Sequence, residues 1–97
     1  DEINNYIEYC VHDFNPQIRH TALIAMLTAE NFQMTSEISE QVKKLLAETP
    51  PVRKTAAEVM KKYEIKFSAT ECKKVVGNLG EKLLDGEKEA LEKLVRK

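Results

Sequence analysis

The sequence predicts an all-α protein built as a short α-solenoid of three antiparallel helix pairs. Three observations predict it. The stretch Asn15-Pro16-Gln17-Ile18-Arg19-His20-Thr21-Ala22-Leu23 returns 34 residues later as Thr49-Pro50-Pro51-Val52-Arg53-Lys54-Thr55-Ala56-Ala57. The preceding pattern of Ile3, Ile7, Cys10 and Val11 returns 35 residues later as Ile38, Val42, Leu45 and Leu46. Throughout the chain, apolar residues fall at spacings of three and four, the period of a helix with one buried face. A two-helix unit written again at a period of 34 to 35 is the mark of stacked repeats, each covering its neighbour's apolar side. The alternative is a closed six-helix bundle.

Helix one is expected over about 2–12, with Ile3, Tyr6, Ile7, Cys10 and Val11 on its apolar stripe. Helix two, about 16–30, begins with Asn15 as cap and Pro16 at the first helical position, where a missing N–H costs nothing. Its stripe is Ile18, Ala22, Ala25 and Met26, and its girth is so apolar that it needs neighbours on several sides. Phe32 and Met34 are placed to plug the junction between units. Helix three starts near Thr35-Ser36 and runs to about Glu48; Ile38, Val42, Leu45 and Leu46 face inward. Helix four, about 50–63, has Thr49 as cap and Val52, Ala56, Val59, Met60 and Tyr63 as stripe. Ile65 and Phe67 are apolar in the connector that follows. Ser68-x-x-Glu71 is a capping box for helix five, which carries Cys72, Val75, Val76, Leu79 and Leu83. Gly77 and Gly80 weaken that helix or admit a close neighbour. Helix six is expected from an Asp85 cap to the chain end, with Ala90-Leu91 and Leu94 echoing the earlier stripes. The helix pairs thus span about 2–30, 35–63 and 69–97 of a single domain, 1–97.

Composition excludes several classes. With 42% hydrophobic and 32% charged residues the composition is that of a folded, helix-rich chain and argues against disorder. No apolar run approaches the ~20 residues of a membrane-spanning helix. Cys10 and Cys72 are too few for a disulfide framework, lack metal-ligand spacing, and read as reduced core thiols, which places the chain inside the cell, in cytoplasm or nucleus. The chain opens without methionine, as a piece of a longer protein or a processed product would. Catalysis is not expected. His12 and His20 are the only histidines, without a cysteine or serine at a telling distance, and Val76-Gly77-Asn78-Leu79-Gly80 matches no phosphate loop. No cofactor and no metal is expected.

The net charge of −1 is unevenly spread. Residues 1–40 hold seven acids against Arg19 alone; residues 41–75 hold nine bases against four acids; the rest hold five of each. Such asymmetry marks a partner surface or merely solvated helix faces.

Asp13 followed by Ile18-Arg19-x-x-Ala22, and later Val52-Arg53-x-x-Ala56, resembles the signature of HEAT repeats, in which a turn aspartate precedes a valine-arginine pair and an alanine on the second helix. The resemblance covers essentially the whole chain. It departs at Glu48, where the second pair lacks the aspartate, at Glu87, where the third lacks the arginine, and in a period shorter than the ~40 residues usual for HEAT units. Armadillo-like units differ mainly by one more short helix, and the tetratricopeptide pattern of aromatic residues is missing. Death-fold-like and VHS-like domains exemplify the closed alternative. The resemblance implies a right-handed solenoid in which Asp13, Arg19 and Arg53 tie neighbouring turns together. It also implies that second helices line a concave face where partners dock.

Register then places side chains in rows. His20, Lys54 and Lys88 form one, Thr28, Lys62 and Arg96 another, and Ile24, Glu58 and Glu92 lie between them. Two functions follow. The first is a protein–protein scaffold or adaptor whose groove takes a helix or peptide, with His20, Ile24, Lys54, Glu58, Lys61, Lys62 and Lys88 as contact candidates. The second is nucleic-acid contact through Lys43, Lys44, Lys54, Lys61, Lys62, Lys73 and Lys74, opposed by the acidic first pair and by few aromatics for stacking. A longer parent chain would supply further repeats.

Overall fold

A computed structural model describes residues 2–96. Among the described residues six α-helices follow one another: α1 (Glu2–Val11), α2 (Pro16–Thr28), α3 (Ser36–Lys44), α4 (Pro50–Lys62), α5 (Ala69–Leu79) and α6 (Glu87–Glu92). Short 3-10 turns at Leu45–Ala47 and Gly80–Lys82 extend α3 and α5. The helices α2 and α4 are both 13 residues long and start 34 residues apart; α1 and α3 start at the same offset. The repeat read from the sequence is therefore a repeat of helix boundaries in the first two pairs.

The helix starts follow local chemistry. The Asn15 side chain accepts from the Gln17 amide at 2.9 Å, Thr35 accepts from Ile38 at 3.1 Å, and Ser68 and Glu71 form the expected reciprocal box. Thr49, expected to cap α4 in the same way, makes no side-chain bond. The reason is Pro51: the position whose amide Asn15 captures in α2 is here a proline without an N–H. At its other end α4 closes with the Ile65 amide on Met60 O at 2.8 Å and the Glu64 amide on Lys61 O. Glu64, at φ 54°, takes the left-handed place glycine usually fills. That turn buries Ile65 and Phe67.

The third pair departs most from expectation. Gly80, at φ 51°, ends α5, so Leu83 lies beyond the helix. No side-chain cap comes from Asp85; the cap residue is Gly86 at φ 80°. Nor does α6 run to the chain end. The tail leaves it after Glu92, and residues 94–96 pair with the connector: the Phe67 amide donates to Leu94 O at 3.1 Å and the Arg96 amide to Phe67 O at 2.8 Å. At Gly77 nothing lies within 4 Å of the place a side-chain methyl would take, so no neighbour approaches closely there.

Within pairs, α1 packs on α2, α3 on α4 and α5 on α6; between pairs, α1 meets α3 and α2 meets α4, while α5 rests on the Leu45–Ala47 turn. The middle pair thus touches both others. One continuous apolar core threads all of them, from Ile7 and Val11 through Leu23, Met26, Val42, Leu46 and Met60 to Phe67, Leu91 and Leu94. The smallest dimension of the molecule, 18 Å, is that of two helix layers. Two expected core residues lie outside: Tyr6 is 54% exposed, and Ile18 is 37% exposed although its counterpart Val52 is 5% exposed. Among the described residues, the pair that carries Ile18 meets one other pair and the pair that carries Val52 meets two.

Candidate functional site

The repeated arginines join the pairs. Arg19 donates from Nη1 to the carbonyls of Asp13 (2.7 Å) and Phe14 (3.0 Å), and from Nη2 to the Glu48 carboxylate. Arg53, 3% exposed, donates to Glu48 O at 2.7 Å, to Lys82 O at 3.0 Å, and through Nε and Nη2 to both Glu87 oxygens at 2.7 and 3.0 Å. The geometry repeats with the helices. Each arginine holds a carbonyl five residues back (Phe14, Glu48) and reaches 29 residues forward, to the Glu48 side chain in one case and the Lys82 carbonyl in the other. The forked Arg53–Glu87 pair holds the Glu87 carboxyl below the usual carboxylate range, first through the guanidinium hydrogen bond and further through the Leu84 amide, against the effect of burial. Asp13 meets Arg19 through its main-chain carbonyl; its carboxylate holds the Asn15 amide at 2.8 Å.

Glu48 and Glu87 are where this sequence departs from the HEAT pattern, and they are the carboxylates the arginines use. A signal for this exists in the sequence: Glu87 stands one period after Arg53, so register alone sets a carboxylate in the next repeat's arginine slot.

Two other candidates are also engaged between pairs. Lys62 donates to Leu27 O at 2.8 Å and Met26 O at 3.5 Å, and Tyr63 donates from its hydroxyl to Met26 O at 2.7 Å. Helix α2 has no base in its own last turn; α4 supplies one to its open carbonyls. The Tyr63 ring also meets Phe32 edge to face, centroids 5.7 Å apart. His20 Nε2 lies 2.9 Å from Thr55 Oγ1 across the same junction.

Where α2 and α4 pack directly, α4 and α6 stand apart, and an open groove of about 940 Å³ lies between them. Apolar Pro50, Ala57, Leu84, Ala90 and Leu94 line its floor, together with the bases Lys54, Lys61, Lys66 and Lys93 and the acids Glu58 and Glu89. Of the contact candidates, Lys54, Glu58 and Lys61 line this groove, and Arg53 and Glu87 form part of its wall. His20, Ile24, Lys62 and Lys88 lie outside it. Sequence reasoning did not find Leu84, 58% exposed, because the loop that carries it was assigned to no helix face.

Of the lysines considered for nucleic acid, Lys43 is mostly covered and pairs with Glu40 at 2.8 Å and Glu71 at 3.7 Å. Lys62 is held as above, while Lys44, Lys54, Lys61, Lys73 and Lys74 are exposed. Both cysteines are buried and unpaired, and burial pushes the Cys72 thiol up. Among the described residues no three His, Cys, Asp or Glu gather as a metal site, and no helix is long and apolar enough to cross a membrane.

Comparisons with protein-family models, with curated proteins and with solved structures give no match.

Proposed function

We propose that this chain is a HEAT-like α-solenoid segment serving as a non-catalytic protein–protein scaffold, and that a partner docks in the groove between α4 and α6. The groove carries the proposal: an apolar floor open to solvent within a charged rim is the form of a site that takes an amphipathic helix or an extended peptide. The solenoid reading draws on the like-with-like packing of α1 on α3 and α2 on α4. It draws equally on the arginine contacts that recur at the same offsets. Nucleic-acid binding has less support, since Lys43 and Lys62 are tied to protein partners.

The test is selection of peptides from a random phage library, followed by binding to Leu84→Asp and Ala90→Arg, two exposed floor positions. The proposal expects selected peptides to lose at least tenfold in affinity on both variants while helicity is unchanged. Peptides that bind both variants as tightly as the parent would overturn it. So would binding of a duplex or single-stranded oligonucleotide probe that collapses between low and moderate salt.

A further inference from the structure

The first helix pair presents a second surface, remote in sequence from the groove. On the solvent face of α1 lies a shallow hollow of about 510 Å³ lined by Asn5, Glu8, Tyr9, His12, Asp13 and Phe14. Tyr9 is 75% exposed and Phe14 99%, the most exposed large apolar side chain among the described residues. Neither ring belongs to the core. Positions 5, 8, 9 and 12 recur at one helical face, opposite to Ile7, Cys10 and Val11 in the core.

From this geometry we infer that the hollow binds a lysine- or arginine-bearing peptide segment of a partner. Two features select that chemistry. Aromatic faces open to solvent attract cations held within about 6 Å of the ring. Glu8 and Asp13 beside them supply carboxylate oxygens that a guanidinium or ammonium can use. Asp13 keeps one oxygen beyond its bond to the Asn15 amide. No base competes from the same pair: residues 1–40 contain Arg19 alone, and its guanidinium is held by Asp13 O, Phe14 O and Glu48. His12 faces the hollow and stands 3.8 Å from Glu37. An acidic segment would meet the Glu8 and Asp13 carboxylates, and a purely apolar one would leave them unused.

The measurement is fluorescence anisotropy of a labelled oligo-arginine peptide, with oligo-glutamate as control, on the whole chain. Tyr9→Leu with Phe14→Leu keeps every charge and removes both rings; the positions are exposed, so the fold is retained. That double variant is expected to bind the basic peptide about five- to tenfold more weakly. Glu8→Lys is expected to weaken it at least as much, and Leu84→Asp in the groove to leave it unchanged. Binding that responds to Glu8→Lys but ignores loss of both rings is diffuse attraction to an acidic surface and overturns the assignment. So does absence of binding, or a sedimentation profile in which these rings instead hold two copies of the chain together.

Discussion

The two junctions between helix pairs use the same residue in the same register, yet they are built differently. At the first, Arg19 is one contact among many: α2 lies directly on α4, Phe32 meets Tyr63, and Lys62 and Tyr63 close the end of α2. At the second, α6 stands off from α4, and the buried Arg53 reaches across with three hydrogen bonds, to Lys82 O and both Glu87 oxygens, while a fourth holds Glu48 O in its own pair. The lesson is that a repeated arginine is worth what its surroundings leave for it to do. Where the two second helices pack on each other it is a supplement; where a groove parts them it is the polar tie between them, beside the core that runs under α5.

The largest effect that can test this contrast is loss of Arg53. Arg53→Met leaves a partly buried carboxylate and two carbonyls without their donor, and should cost about 3 kcal/mol in urea unfolding. Arg19→Met should cost about 1 kcal/mol, because its carboxylate partner is nearer to solvent and the packing around it persists. Equal losses would erase the distinction between the junctions.

Acid provides the next test. Glu87 in the folded chain titrates below its ordinary range, held there by Arg53, and Glu71 does so chiefly through the Ser68 amide. A carboxyl so lowered contributes stability that is fully present above the ordinary glutamate range and is lost as pH falls through the lowered folded value. Both groups belong to the third pair. Hydrogen exchange should therefore show residues 69–96 opening first as pH is taken from about 5 toward about 3, with Glu87→Gln flattening the profile. Simultaneous opening of all three pairs would count against a weaker second junction.

Much of the fold was legible because it rests on local chemistry. Pro16 and Pro50 announce helix starts, Ser68 and Glu71 cap one another within four residues, and the 34-residue offset is a property of the string itself. What stayed hidden depends on long separations. That Glu48 and Glu87 answer Arg19 and Arg53, that Lys62 closes α2, and that the Arg96 amide reaches Phe67 are contacts 29 to 35 residues apart in sequence. The groove was half legible. Register named Lys54, Glu58 and Lys61, but Leu84 and the end of α6 at Glu92, where the tail turns to bond Phe67, are features that no apolar periodicity reports.

At the first junction, Tyr63→Phe removes one hydroxyl and keeps the ring against Phe32. Met26 O would keep the long Lys62 contact at 3.5 Å in place of the 2.7 Å hydroxyl bond. A loss of about 1 kcal/mol in urea unfolding is expected. A loss as large as that of Arg53→Met would mean that the first junction, too, hangs on one polar contact.

The smallest effect discriminates most finely. Gly77 lies inside α5 with empty space where a methyl group would go, so Gly77→Ala should strengthen that helix by about 0.5–1 kcal/mol without touching either junction. Where the gain appears is the informative part. If urea unfolding of the whole chain shifts by the full amount, the third pair melts together with the other two and Arg53 binds it into one cooperative unit. If only the α5 amides gain protection from exchange while the global transition stays put, the third pair opens on its own. That outcome is expected if the buried Arg53, and not the core beneath α5, sets how firmly the third pair is held.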